Sequence, residues 1–146
     1  MAKKTISVIG WREWVGLPDL AVNAIKAKID TGARSSALHA FNVKTIRKQG
    51  ADWVSFDIHP LQRNAKLTIH IEYPMTTMRK VKSSSGHETF RPVIATDLLI
   101  MDRRIPIELT LVNRDTMGFR MLLGRTAIRR KFLVNPSKSF LAGATK

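Results

Sequence analysis

The feature that most constrains this chain is a short apolar strand that ends in an acidic residue and a turn. Residues 25–29 alternate apolar and basic side chains, the period of two expected of a β-strand with one buried face. Asp30-Thr31-Gly32 follows at once, and its glycine favours a sharp change of chain direction. A carboxylate at the end of a buried strand is held in a fixed position, so this turn is the first candidate for a functional site.

The same alternation recurs along the chain, at residues 52–58, 67–71 and 105–111. Segments rich in Gly, Pro, Asn and Ser separate these strands, including Lys48-Gln49-Gly50 and Ser83-Ser84-Ser85-Gly86. Pro106 removes one backbone donor and therefore indicates an edge or a bulge early in its strand. One short helix is predicted at residues 125–131. A chain of 146 residues with these signals predicts an all-β barrel or sandwich and a single domain over residues 1–146.

A second element lies far downstream of the acidic turn. Leu122-Leu123-Gly124 consists of apolar residues that end in glycine immediately before the predicted helix. Together with Asp30-Thr31-Gly32-Ala33 and with Ser36 three residues further on, it resembles the aspartic peptidases of the retropepsin type. The resemblance implies a closed barrel with one short helix after Gly124, in which the apolar element braces the acidic loop from below.

The resemblance is closer to a bacterial family that is usually labelled ATP-dependent zinc protease or retropepsin-like. It rests on three strings, Ala27-Lys28-Ile29-Asp30-Thr31-Gly32-Ala33, Ser36-Ala37-Leu38-His39-Ala40 and Leu122-Leu123-Gly124-Arg125. Related domains are attached to ATP-grasp amino-acid ligases. The family implies a peptide-bond hydrolase in which Asp30, Thr31 and Gly32 form the catalytic loop.

The chemistry of such a site requires two carboxylates. Two aspartates held within about 3 Å share one proton, so one acts as a base on water while the other acts as an acid. The chain carries one Asp-Thr-Gly, and the resemblance therefore implies a homodimer with one Asp30 from each subunit. Thr31 would lock the paired loops together, and Gly32 would let the substrate approach the backbone.

The resemblance also assigns substrate contacts and support. Ala33, Arg34, Ser35 and Arg125 are expected at the cleft, and a hairpin flap with its tip at Ser84, Ser85 and Gly86 is expected to close over it. Ser36, Leu122, Leu123 and Gly124 are expected to support the loop from below. Arg34 stands where viral enzymes have an acid that pairs with the arginine at the position of Arg125. Two unpaired guanidinium groups would favour acidic, glutamate-rich peptides; alternatively, Arg34 points to solvent and Arg125 braces the helix.

Charge leaves alternatives open. With 25 Lys and Arg against 11 Asp and Glu, the formal net charge is +14, which favours an acidic partner without naming it. A basic β-domain that binds nucleic acid or ribosomes is one alternative, with Trp11, Trp14 and Trp53 available for base stacking, although packing is the favoured role for these rings. A zinc peptidase, as the family label suggests, is another.

The sequence favours neither zinc nor ATP as a cofactor. His39, His59, His70 and His87 are scattered without ligand spacing, and no phosphate-binding loop of the Gly-x-x-x-x-Gly-Lys type is present. We therefore expect no cofactor and no metal. No apolar run is long enough to span a bilayer, so we expect no membrane partner and a cytoplasmic protein, or a periplasmic one if a leader has been removed.

Overall fold

The structure is a computed structural model that describes residues 6–60, 67–82, 85–113 and 119–143, with Val81 and Lys82 described by their backbone alone. Twelve strands and one α-helix lie in these ranges. In chain order they are β1 (Ser7–Gly10), β2 (Arg12–Leu17), β3 (Val22–Ile29), β4 (Ser36–His39), β5 (Phe41–Lys48), β6 (Ala51–Ile58), β7 (Ile69–Pro74), β8 (Thr77–Lys82), β9 (Glu88–Ile100), β10 (Arg103–Val112), β11 (Met121–Leu123), α1 (Arg125–Ile128) and β12 (Phe132–Asn135). A 3-10 turn, Pro18–Leu20, joins β2 to β3.

The strands form three groups. The main sheet has the order β10-β4-β11-β3-β2-β9-β8, and β9 also pairs with β10, so six of its strands pair in a ring with β8 on the outside. Strands β5, β6 and β7 form a separate antiparallel sheet, and β1 pairs with β12 in parallel. The predicted all-β fold with a short helix after Gly124 is confirmed. The closed barrel and the single domain remain predictions.

The alternation in the sequence becomes burial in the structure. In β3, Ile25, Ala27 and Ile29 are buried while Lys28 is exposed. The same pattern brings Phe56 of β6 and Leu109 of β10 into one apolar cluster. Burial of each large apolar side chain in this cluster stabilises the fold by about 1.5–3 kcal/mol relative to its exposure.

The strands predicted at residues 25–29, 52–58 and 105–111 lie within β3, β6 and β10. The strand predicted at 67–71 is displaced, because β7 begins at Ile69 and Leu67 is exposed outside it. Pro106 pairs with Asp97 of β9, and the ladder from β10 to β4 begins only at Leu109, so the proline lies on a stretch with one strand partner among the described residues. The predicted helix at residues 125–131 was too long. It ends at Ile128 because Arg129 is extended, with ψ 142°, and Arg130 has φ 67°. Within the described ranges, no helix is long and apolar enough to cross a membrane.

A buried carboxylate ties the end of the chain to the body. Glu13 of β2 is fully buried. Its Oε2 accepts hydrogen bonds from the backbone N–H groups of Gly10, at 2.6 Å, and Leu141, at 2.9 Å, and its Oε1 accepts one from Ala142 at 2.9 Å. The segment that contains Lys138 also lies close to Gly10, so a side chain at position 10 would collide with the Lys138 carbonyl. Glu13 thus supplies hydrogen-bond acceptors to the backbone of residues 141–142, which follow the end of the β1–β12 pairing.

We predict that Glu13→Gln lowers the free energy of unfolding by about 2 kcal/mol, because hydrogen bonds to a charged acceptor are strong and an amide N–H₂ would face backbone donors. The measurement is urea unfolding followed by circular dichroism. Glu88→Gln is the control, since Glu88 forms an exposed ion pair with Lys80 and its loss is expected to move the midpoint little. Equal shifts for the two variants would contradict the structural role of Glu13.

Candidate functional site

The position of Asp30 is fixed by a strand from the other end of the chain. Strand β11 lies between β3 and β4, parallel to the first and antiparallel to the second, with Leu123 beside Ile29. The backbone N–H of Asp30 continues this ladder and donates to the Leu123 carbonyl at 2.8 Å. Asp30 therefore starts its loop from a backbone held on both sides.

The Asp30 carboxylate is held by its own loop. Its Oδ1 accepts a hydrogen bond from the Gly32 N–H at 3.0 Å, and the Ala33 N–H donates to the Asp30 carbonyl at 3.2 Å. Asp30 is half-buried, whereas Thr31 and Gly32 are exposed. A Cβ on Gly32 would lie 3.3 Å from Oδ1, so glycine keeps the space beside the carboxylate open.

The residues that follow β11 support this loop from below. A Cβ on Gly124 would lie 2.5 Å from the Ser35 carbonyl oxygen and 2.9 Å from that of Ala33, so only glycine allows the two segments to meet. The buried Ser36 hydroxyl accepts the Gly124 N–H at 3.1 Å. Thr126 donates its N–H and its hydroxyl to the Arg34 carbonyl, at 3.1 and 3.0 Å. Leu122 and Leu123 supply the strand itself.

Arg125 contacts the loop directly. Its Nη1 donates to the carbonyl oxygens of Thr31, at 3.2 Å, and Gly32, at 3.1 Å, and its backbone N–H donates to Ala33 at 2.8 Å. The side chain therefore crosses the acidic loop and links it to α1. A contact of Arg125 with substrate remains a prediction, beside this bracing contact.

A groove of about 600 Å³ opens next to the loop, between it and strands β8, β9 and β10. We call this feature the arginine groove. Its polar lining consists of Arg34, Ser35 and Thr126 on one side and Arg79 and Glu108 on the other. Part of its apolar lining comes from Pro106, Ile107 and Ala127.

The two arginines of the groove differ in their surroundings. The Arg34 guanidinium is exposed and has no hydrogen bond or ion pair to any residue that the structure describes. Arg79 is bonded to Glu108, at 3.0 Å, and to Thr110, at 3.2 Å. Within the described part of the chain, the groove therefore offers one guanidinium without a partner and one that already holds a carboxylate.

Sequence reasoning missed Arg79 and Glu108. They are 29 residues apart and meet because β8 and β10 both contact β9. The alternation of β10 does place Glu108 and Thr110 on one face of the strand. Only the register of three strands, however, brings Arg79 opposite them.

The predicted flap coincides with the hairpin of β8 and β9, which pair from Thr77 with Val93 to Lys82 with Glu88. Ser84 lies outside the described residues, and Ser85 and Gly86 are exposed beyond the arms. Ser35, at the other side, lines the arginine groove. That the hairpin closes over a ligand remains a prediction.

Titratable residues also gather away from the groove. Asp57 of β6 accepts hydrogen bonds from Asn42, at 2.9 Å, and from His70, at 2.6 Å, and these bonds hold the pKa of its carboxyl below the usual range. His39 ends β4 in a buried position. Among the residues that the structure describes, no group of three or more His, Asp or Glu side chains has the geometry of a metal site.

The three tryptophans contact their own chain. Trp11 meets Phe119 edge to face at 5.8 Å, and Trp14 stacks on Phe140 at 6.2 Å. The Lys48 ammonium lies 4.6 Å from the centre of the Trp53 ring. These contacts agree with the packing role that the sequence favoured for the rings.

Comparison with known proteins assigns the chain to a family. The family model of the RimB-like proteins, described as "Retropepsin-like aspartic endopeptidase RimB", matches residues 8–145. The chain belongs to the RimB-like family. The resemblance to retropepsin-like proteins is thereby confirmed.

Curated relatives of this RimB-like chain have a different name. A protein from Shewanella pealeana is 46% identical over 93% of this chain, and one from Desulfotalea psychrophila is 43% identical over 94% of it. Both are named "Probable alpha-L-glutamate ligase". The chain spans only 30% and 29% of the length of these two relatives.

A solved structure has the same fold as the RimB-like chain. It is the crystal structure of Lpg0085 from Legionella pneumophila, a protein titled as having unknown function (DUF785). The TM-score is 0.77 at 29% sequence identity, and the match covers 94% of this chain and 99% of the other.

The predicted function as an aspartic peptidase is wrong by this comparison, as is the zinc-peptidase alternative, because the curated relatives are named as ligases. The physical reason is that the Asp30 loop and its support specify a fold, while a fold admits several chemistries. Nucleic-acid binding remains untested. In the described part of the chain, no hydrogen bond joins Asp30 to a second carboxylate. The homodimer and the catalytic roles of Asp30, Thr31 and Gly32 remain predictions.

We predict that Gly124→Ala lowers the free energy of unfolding by about 1–3 kcal/mol, because the added Cβ would overlap the Ser35 and Ala33 carbonyls in a tightly packed site. Gly32→Ala is the matched control, since its Cβ meets only the Asp30 carboxylate at 3.3 Å. Chemical unfolding of both variants is the measurement. A loss for Gly32→Ala as large as that for Gly124→Ala would contradict the close approach at Gly124.

Proposed function

We propose that this chain is the part of a glutamate-ligating enzyme that binds a glutamate-bearing, acidic polypeptide in the arginine groove. The observation that carries the proposal is the exposed guanidinium of Arg34 at a groove beside a rigid loop. An arginine fork binds a carboxylate through two parallel hydrogen bonds, which gives both affinity and orientation.

The rigidity of the loop favours this assignment. The Arg34 carbonyl accepts two hydrogen bonds from Thr126, so the backbone that carries the guanidinium is anchored, although the side chain has no partner among the described residues. A fixed starting point reduces the conformational entropy that is lost when a ligand binds. An arginine on a loose surface loop would lack this advantage.

The names of the relatives support the ligand class. A ligase named for α-L-glutamate acts on a substrate with carboxylates, and a polypeptide that carries added glutamates has one carboxylate on each of them. Because the chain spans about three-tenths of those ligases, we assign to it the binding of the polypeptide and not the whole reaction. The net charge of +14 favours the approach of such an anion.

We predict that a short, C-terminally amidated oligoglutamate peptide binds at least about tenfold more tightly than the matched amidated oligoglutamine peptide at about 0.15 M salt, because only the first then offers carboxylates to the groove. Arg34→Ala should weaken oligoglutamate binding by about fivefold. Isothermal titration calorimetry measures both effects, and an oligolysine peptide is the negative control.

Arg47→Ala is the matched control variant for net charge. Arg47 is an exposed arginine of β5 that pairs with Asp52 and does not line the groove. Its removal lowers the net charge by the same amount as Arg34→Ala, so the two variants separate local binding from long-range attraction. Equal affinity for the glutamate and glutamine peptides, or equal losses in the two variants, would overturn the proposed function.

A further inference from the structure

The opposite wall of the arginine groove contains a carboxylate of the chain itself. Arg79 of β8 donates from Nη2 to Glu108 Oε1, at 3.0 Å, and from Nη1 to the hydroxyl of Thr110, at 3.2 Å. Both partners belong to β10 and lie two residues apart, on the same face of the strand. Thr110 is buried, whereas the side chains of Arg79 and Glu108 are 34% and 53% exposed.

The two bonds of Arg79 differ in kind. The bond to the buried Thr110 hydroxyl fixes the direction of the guanidinium, and it does not depend on Glu108. The bond to Glu108 joins a single nitrogen to a single oxygen at a surface open to water. An ion pair of this kind contributes little net stability and exchanges readily.

Glu108 is also chemically the same as the proposed ligand. Its side chain ends in the carboxylate that every glutamate of an acidic polypeptide presents. A ligand carboxylate that enters the groove can therefore make the same contact with Arg79, and Arg79 stays oriented by Thr110 while the exchange takes place. Loss of the Glu108 contact leaves that carboxylate in water and not in a dry interior, because it is exposed.

We propose that Arg79 is a second carboxylate subsite of the groove and that Glu108 is an internal competitor for it. The inference rests on the proposed function and deepens it. A ligand carboxylate binds Arg34 without competition, and a second one on the same polypeptide displaces Glu108 from Arg79. The groove thereby favours ligands with at least two carboxylates over ligands with one, since a single carboxylate binds Arg34 and leaves the Arg79 pair intact.

The test is a double-mutant cycle with the oligoglutamate peptide as the probe. Glu108→Gln should tighten binding about threefold to fivefold, because this factor corresponds to the stability of an exposed ion pair. Arg79→Met, which keeps much of the aliphatic stem, should weaken it. In the Arg79→Met background Glu108→Gln should give no further gain, because the competition acts only through Arg79.

Glu72→Gln is the matched control, because it removes the same charge from an exposed pair, with Lys48, that lies on the separate sheet of β5, β6 and β7 and outside the groove. It should leave the affinity near that of the unaltered chain. A monovalent probe, a C-terminally amidated glutamine peptide with one glutamate, should gain much less from Glu108→Gln than amidated oligoglutamate does. Glu108→Ala serves as a second variant if the amide itself binds the peptide.

Three results would overturn the inference. They are equal gains for Glu108→Gln and Glu72→Gln, a gain that persists in the Arg79→Met background, and equal gains for the monovalent and oligoglutamate probes. If Arg34→Ala weakens binding while the Glu108 variants do not alter it, the second subsite is wrong and the proposed function stands. If the unaltered chain does not prefer oligoglutamate to oligoglutamine, both are wrong.

Discussion

The close approach of Gly124 to the backbone of Ser35 is the contact on which the rest of the structure depends. It joins segments from opposite ends of the chain and leaves no room for a side chain. With Gly124 in position, β11 lies between β3 and β4, and the first N–H groups after it reach the carbonyls of Ala33 and Arg34. The Asp30 loop owes its shape to these bonds, because its own residues are largely exposed and bury too little to fix it.

The same contact determines which arginines are available. Arg125 follows Gly124 directly, and its side chain is drawn over the loop to the Thr31 and Gly32 carbonyls. The Arg34 carbonyl is bonded to Thr126, and the Arg34 side chain has no hydrogen bond or ion pair within the described part of the chain. One arginine therefore braces the loop while the other lines the groove. The sequence alone does not separate these roles, since each arginine directly follows a small residue, Ala33 or Gly124.

Much of the fold was predictable from alternation, and the reason is physical. Burying one face of a strand imposes a period of two, and the residues of β3, β6 and β10 show this period in the sequence itself. The brace at Leu122-Leu123-Gly124 was predictable from its resemblance to a family. The buried position of Glu13 was not predictable, because nothing in the local sequence shows that backbone donors of Gly10 and of residues 141–142 surround it.

The function was predictable only in part, because the motif describes a loop and not a reaction. Asp30-Thr31-Gly32 and its support led correctly to the RimB-like family and to a link with amino-acid ligases, but also to a peptidase, which the names of the curated relatives contradict. Arg79 and Glu108 line the groove beside this loop, and only the register of three strands brings them together.

The overall charge and the groove act over different distances. A net charge of +14 attracts any polyanion, but at physiological salt the attraction between exposed charges is largely screened beyond about 8 Å. Under the proposed function, discrimination between one acidic ligand and another therefore comes from charges within the groove. There Arg34 and Arg79 are opposed by Glu108, so the local excess of positive charge is small. A small excess of positive charge in the groove, on a chain with a large overall positive charge, suits a ligand whose carboxylates are spaced along a polypeptide. Several weak contacts with the groove must then form together before binding exceeds the general electrostatic attraction.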